Sequence, residues 1–445
     1  MMTSRSDGAH VAVILYGSRG DVQPGVCLAV ELQRRGHRVS VAVPPNLLGF
    51  ARNAGVATVV AIGRDTGTQW SSDEALDAQR SRNPWTRARF ALDTVRDGIS
   101  AFDRAMVETF LDDDAAITDV DMLIAAPLCQ ARGLALAERL GVPLTVLRYA
   151  PMSESGVIGP LPGVTDSWSP KWKRRSWRAY DRIVWWATRY SENGFRRRIG
   201  RPAARTGCPD RLGVLRVPQI QAYDPAIAPE LVAEWKAGHA VKPIIGFLDL
   251  PAGARDHLAE TSHGDAELAE WLDAGEPPVF VGFGSMPVTD PQRVRSLFGA
   301  AAAELGVRCV FGLGATPGVD ADDTSIYHVG AVNHAWLFPR CAAVVHHGGA
   351  GTTAAALRAG VPSAVYSFTA EQPFWAERIR TLGVGTGRAF SALTDESIRA
   401  DLSTVLTEKV RCAAVEFAQR MVSPKRAVAA AADIVEVRLP VPAGE

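Results

Sequence analysis

Residues 342–379, AAVVHHGGAGTTAAALRAGVPSAVYSFTAEQPFWAERI, constrain this chain more than any other stretch. An apolar run (342–345) leads into His346 and His347, then into Gly348-Gly349-Ala350-Gly351-Thr352-Thr353, then into an Ala/Leu-rich run ending at Gly360. The pattern predicts a strand, a glycine-rich turn and a helix N-terminus. Without Cβ atoms, backbone N–H groups in such a turn approach an anion closely, and the helix dipole favours negative charge there. Val361-Pro362 opens a second short apolar run, and Glu371-Gln372-Pro373 begins another helix at its end. Two successive strand ends thus aim polar groups at one crevice, where open α/β sheets bind ligands.

A bare GGxG fits a tight crossover as well as a ligand site. The paired histidines before it and the carboxylate–amide pair one unit later favour a diphosphate site, with Glu371 and Gln372 holding polyhydroxylated material. A dinucleotide fold would carry G-x-G-x-x-G near the N-terminus and an acid after the second strand. Neither occurs.

HHGGAGTT, followed by RAGVP and QPFWAERI, resembles the nucleotide-sugar signature of GT-B glycosyltransferases. The likeness is nearest to family 1, the branch of sterol glucosyltransferases and bacterial natural-product glycosyltransferases. It implies an α/β fold of two Rossmann-like, doubly wound domains facing across a cleft. It further implies a UDP- or dTDP-sugar donor and no metal, the diphosphate being held by dipole, amides and a histidine.

The rest of the chain fits that expectation. At 445 residues it exceeds the roughly 250–300 at which single cores stop growing. Net charge is zero, so nothing suggests nucleic acid. Six cysteines without CxxC spacing read as buried thiols of a reducing compartment. A polar leader and the lack of a long apolar run point to a cytoplasmic protein. Strand and helical periods alternate over 11–16, 24–35, 37–43, 58–62, 85–110, 122–125, 128–140 and 143–147, which argues for a parallel sheet. Residues 1–247 are then an acceptor-binding domain and 265–445 a nucleotide-sugar domain. Between them, 248–264 break the periodicity as a linker.

Asp21 lies in GSRGDVQP, just after the first strand. Its plain reading is a first-turn acid complementing the helix dipole. The resemblance gives it a second role: this aspartate is the family's general base, taking the acceptor's proton as the hydroxyl attacks the anomeric carbon. Residues 168–198 interleave aromatics with Arg and Lys. They read as a long helix burying its Trp/Ile/Val face, on the acceptor side, with contact to an anionic membrane as the minority alternative. Asp112-Asp113-Asp114 reads as a solvated helix end.

In the second half the resemblance assigns Ser285 of VGFGSM, His346 and the amides of Gly348, Gly349, Gly351 and Thr352 to the donor diphosphate. His347 packs or orients the loop. Glu371 and Gln372 hold the sugar, and Val332 and His334 the nucleotide base, while Trp336 and Phe338 belong to the core. Glu371 stands where relatives often have Asp, which leaves the sugar open. Asp320-Ala321-Asp322 lies in a Pro/Gly loop and reads as a solvated turn, not a metal site. Residues 411–437 form a terminal helix that crosses back to the first domain. The function implied is inverting glycosyl transfer to a hydroxyl of a hydrophobic small molecule. A GT-B epimerase or hydrolase, or a non-catalytic nucleotide-sugar-binding partner, stand as alternatives.

Overall fold

The computed structural model describes residues 8–67, 84–237, 241–251, 254, 258, 266–284, 286, 288 and 290–440, with 84–95 as backbone alone. Ser285 and most of the expected linker lie outside the described residues.

Among the described residues, the first half holds six parallel strands: β1 (His10–Ile14), β2 (Arg38–Val43), β3 (Thr58–Ala61), β4 (Met122–Ala125), β5 (Leu144–Arg148) and β6 (Gln219–Gln221). Their order is β3-β2-β1-β4-β5-β6. The second half holds β7 (Val279–Gly282), β8 (Cys309–Phe311), β9 (Gly318–Val319), β10 (Ile326–His328), β11 (Ala343–His346), β12 (Ser363–Ser367) and β13 (Gly385–Ala389). Their order is β13-β12-β11-β7-β8-β10-β9, with only β9 antiparallel. Read from β10 inward, this is the doubly wound order of the first sheet again, with a short hairpin strand added at the edge. Each sheet reverses direction once, at β1/β4 and at β7/β11, and such switch points open the crevices where α/β sheets take ligands.

Central strands buried on both faces need continuous apolar runs. β1 and β4 are fully buried, and cores lie on both sides of the first sheet. A third cluster joins the halves: Tyr149, Tyr223 and Phe247 pack with Leu357, Phe374 and Trp375. The Arg358 guanidinium donates to Asp249 at 2.6 Å and to the Phe247 carbonyl at 3.0 Å.

Three local expectations change. The first helix runs Arg19–Arg34, so it begins before Pro24 and includes Asp21. Pro24 removes only the N–H that would return to Gly20, while the Asp21 carboxylate holds Ser18 at the helix start. The C-terminal run is two helices, Glu408–Arg420 and Pro424–Glu436, because Pro424 ends the first and starts the second. The latter packs Ala427, Val428, Ala431 and Val435 into the core beside the first helix, and Arg35 binds Asp433 and Glu436 at 2.7 Å. Of the cysteines, Cys412 is exposed and the other five are buried.

Candidate functional site

Gly17 ends the turn after β1 with φ +125°, and a Cβ there would lie 2.4 Å from Asp21 Oδ2. Only glycine leaves room for the carboxylate to fold back on Ser18, whose N–H and hydroxyl donate to Oδ2 at 2.6 and 2.8 Å. The other oxygen, Oδ1, accepts from the Tyr149 hydroxyl. Tyr149 follows β5, and burial first, then the Asp21 charge, push its phenol well above the ordinary range. The phenol therefore stays a donor. Nothing around Tyr149 in the sequence announced this contact, because it joins residues 128 apart through the strand order.

On the facing half, Glu371 lies in the turn after β12 and is the N-cap residue of the helix Gln372–Thr381. Burial, followed by the nearby Asp21 charge, pushes its carboxyl up to about 7. The Asp21 charge of the first half thus reaches Glu371 of the second. Ala370, immediately before, is held at φ +56°, a conformation that costs a non-glycine residue about 1 kcal/mol or more and aims the next residue.

The glycine-rich turn forms as the pattern predicts. Gly349 is the N-cap of the helix Ala350–Ala359, and Thr353 is the first amide to return to it, at 2.9 Å to the Gly349 carbonyl. The amides of Ala350, Gly351 and Thr352 therefore belong to the unpaired first turn, and no acid occupies that turn. A Cβ on Gly348 would meet Val365 at 2.8 Å, and one on Gly349 would meet the His347 ring at 2.4 Å. His347 lies between two glycine turns, since a Cβ on Gly284 would come within 3.1 Å of the same ring. Burial pulls its imidazole down to about 4, so it is neutral near pH 7.

His346 differs. It is the last residue of β11, paired in register with Gly282, and 0% exposed. Its Nδ1 accepts the Gly348 N–H at 3.1 Å, and burial holds it neutral, well below the ordinary histidine range. The expected phosphate contact was His346; the enclosed ring organises the turn, and the ring beside the glycines belongs to His347. Strand alternation explains the exchange, because adjacent side chains leave on opposite sides.

Gln372 also departs from expectation. It is buried, and its Oε1 accepts the N–H groups of Phe368 and Thr369 at 2.8 and 3.3 Å while Nε2 reaches Met286 Sδ at 3.2 Å. The amide shapes the loop that presents Glu371. Val332 is buried, and His334 stacks on Phe338 with ring centroids 4.4 Å apart. Phe338 is a core residue and Trp336 packs at its edge. Asp320 accepts from His328 Nε2 at 2.7 Å and from the Asp322 N–H at 3.0 Å, so this pair closes a turn. Among the described residues, no three His, Cys, Asp or Glu side chains gather as a metal site.

Comparison with known proteins gives the family and the fold. Residues 11–157 match the glycosyltransferase family 28 N-terminal domain, and residues 303–437 match the erythromycin biosynthesis protein CIII-like C-terminal domain. An uncharacterized glycosyltransferase of Mycobacterium tuberculosis is 38% identical over 95% of this chain and 97% of its own. A sterol 3-beta-glucosyltransferase of Arabidopsis thaliana is 30% identical over 93% of this chain and 63% of its own. Among solved structures, Arabidopsis thaliana UGT89C1 complexed with UDP-L-rhamnose superposes with a TM-score of 0.62 at 14% identity, over 98% of this chain and 100% of its own. The chain belongs to the GT-B-fold glycosyltransferases of family 1, the branch of sterol and natural-product glycosyltransferases.

Proposed function

We propose that the protein transfers a sugar from a UDP- or dTDP-sugar to a hydroxyl of a hydrophobic small molecule, with inversion and without a metal. The observation that carries this reading is that Asp21, at the first switch point, lies near enough for its charge to reach Glu371 of the second half, beside an acid-free helix N-terminus. The nucleotide diphosphate lies on the amides of Gly349, Gly351 and Thr352, with His347 supplying a neutral imidazole N–H to the departing charge. His346 holds Gly348 in place. Glu371, pushed up to about 7 by burial, carries a proton on the acidic side of neutrality that it donates to a sugar hydroxyl. Val332 and His334 border the base, and Ser285 joins the diphosphate contacts.

Asp21 accepts the acceptor's proton while the hydroxyl oxygen attacks the anomeric carbon opposite the leaving diphosphate. One bond forms as the other breaks, so an α-linked donor gives a β-linked product. A UDP-L-rhamnose complex among the structural neighbours supports the donor class. The donor is bound in the second half and the acceptor in the first, as the likeness to GT-B enzymes implies.

The test is nucleotide release from a panel of UDP- and dTDP-sugars, with and without lipophilic acceptors, for wild type and Asp21→Asn. Acceptor-dependent release, reduced about 10²–10⁴-fold by the substitution, is expected. Equal release from both proteins would falsify the role of Asp21.

A further inference from the structure

The helix Pro170–Arg198 does not bury its apolar face as the sequence suggested. It has two such faces. The inner one carries Trp177, whose indole N–H donates to the Ile158 carbonyl at 2.7 Å, together with Glu192 and Phe195, and it packs on the first half. The outer one carries Trp172, Ala179, Ile183, Trp186 and Tyr190. Their spacings of seven, four, three and four residues form one stripe along the helix. Trp172 is 56% exposed, Ile183 70%, Trp186 67% and Tyr190 74%. Single exposed apolar residues are ordinary, but a contiguous row of four large ones marks an interaction surface.

The charges specify the partner. Residues 171–190 hold seven Lys or Arg and one acid, whereas the whole chain has zero net charge. That acid, Asp181, belongs to the inner face, near Arg148 and Lys242. Lys171, Arg175, Arg182 and Arg189 border the stripe along one edge, while Arg178 beside them is paired with Glu154 at 2.9 Å. The Arg175 guanidinium lies 5.0 Å from the Trp172 ring centre, and Arg189 lies 4.8 Å from those of Trp186 and Tyr190. Aromatic rings capped by arginine at one level, above an apolar row, match the boundary between lipid headgroups and acyl chains. A second copy of the chain would bring two such basic edges together. No helix among the described residues is long and apolar enough to cross a membrane, so this helix would lie in the surface plane.

We propose that the outer face of Pro170–Arg198 docks the protein on an anionic lipid bilayer. The helix also adjoins the candidate site. Lys173 Nζ donates to the Val157 carbonyl at 2.9 Å, and Trp177 anchors Ile158, so the segment following Tyr149 is fastened to the inner face. Docking would then bring the Asp21 side of the cleft toward lipid-resident acceptors, a consequence that rests on the glycosyl-transfer reading.

The experiment is sedimentation of the full chain with vesicles of phosphatidylcholine alone, or with about one-third phosphatidylglycerol, with no sugar donor present. Binding is expected on the anionic vesicles only, with a blue shift of tryptophan emission and release at about 0.5 M salt. Lys171→Gln/Arg175→Gln/Arg182→Gln should weaken it about a hundredfold, and Ile183→Ser/Trp186→Ser about tenfold or more, with unchanged thermal melting in both. Binding indifferent to lipid charge, a charge variant that binds like wild type, or a dimer dissolved by the serine variant would overturn the proposal. Donor turnover on a water-soluble acceptor is measured separately. Turnover without vesicle binding removes the docking alone. Vesicle binding together with a failed transfer assay leaves the docking standing and removes its link to lipid acceptors.

Discussion

The two switch points share one strand order and carry opposite chemistry. At β1/β4 the helix Arg19–Arg34 has its own acid, Asp21, in the first turn. At β7/β11 the helix Ala350–Ala359 has glycine at its N-cap and no acid in its first turn. A helix N-terminus attracts negative charge in both cases. In the first it is served from within, and the carboxylate so held is bonded to Ser18 and Tyr149. In the second the first-turn amides have no acid of their own helix beside them. Topology thus decides where ligands meet the sheet, and one side chain per helix start decides which partner brings the charge.

The sharpest way to break that contrast is to give the second helix an internal acid. Gly351 is exposed, and a Cβ there meets nothing within 4 Å, so Gly351→Asp fits without strain. The new carboxylate should leave stability unchanged or raise it by about 0.3–1 kcal/mol through the dipole. It should also repel a diphosphate at about 5 Å by roughly 3 kcal/mol, weakening donor binding about a hundredfold. Calorimetric titration with UDP and dTDP checks this, with Gly351→Ala as the control expected within a few-fold of wild type. Loss of affinity in both variants would mean that bulk, not charge, is what the turn excludes.

Much of this arrangement is legible in the residues. Strand, glycine turn and helix over 342–360 form where periodicity and the missing Cβ atoms demand, and the βα alternation is enough to give two parallel sheets. What is not legible is which way a side chain leaves a strand end. His346 and His347 are neighbours of one type, and only the register of β11 against β7 separates an enclosed ring from one beside two glycines. Tyr149 meets Asp21 through the order of strands, not through spacing. Gln372 looks like a ligand amide until the neighbouring loop N–H groups are seen to claim it. The outer face of 170–198 has the composition of a core helix, and its exposure is a property of what the fold leaves uncovered.

A smaller effect sharpens the first half of the contrast. Tyr149→Phe removes a hydrogen bond donated to the Asp21 carboxylate while keeping the ring in its cluster. That bond fixes the direction of Oδ1, so its loss frees the carboxylate to turn. Turnover is expected to fall about tenfold through kcat, with KM for the donor within a few-fold of wild type. A merely structural tyrosine would lower stability and leave kcat in place.

The smallest effect tests the point where the halves meet. The Glu371 carboxyl is pushed up to about 7, first by burial and then by Asp21. A raised acid binds its proton in the folded protein over a range where the unfolded chain has already released it. The stabilisation is therefore complete below about pH 4.5 and is lost as pH rises toward 7, by up to about 3 kcal/mol. Glu371→Gln keeps the neutral shape and has no proton to lose. The variant should match wild-type Tm near pH 5 and exceed it above pH 7, and a pH series of thermal melts reads the difference directly. Adding Asp21→Asn to each protein sorts the two causes. Because burial leads, removing the Asp21 charge should narrow the gap in Tm between Glu371→Gln and its parent only slightly. A gap that closes completely would make the cross-cleft charge, and not enclosure in the second half, the force that keeps this carboxyl protonated.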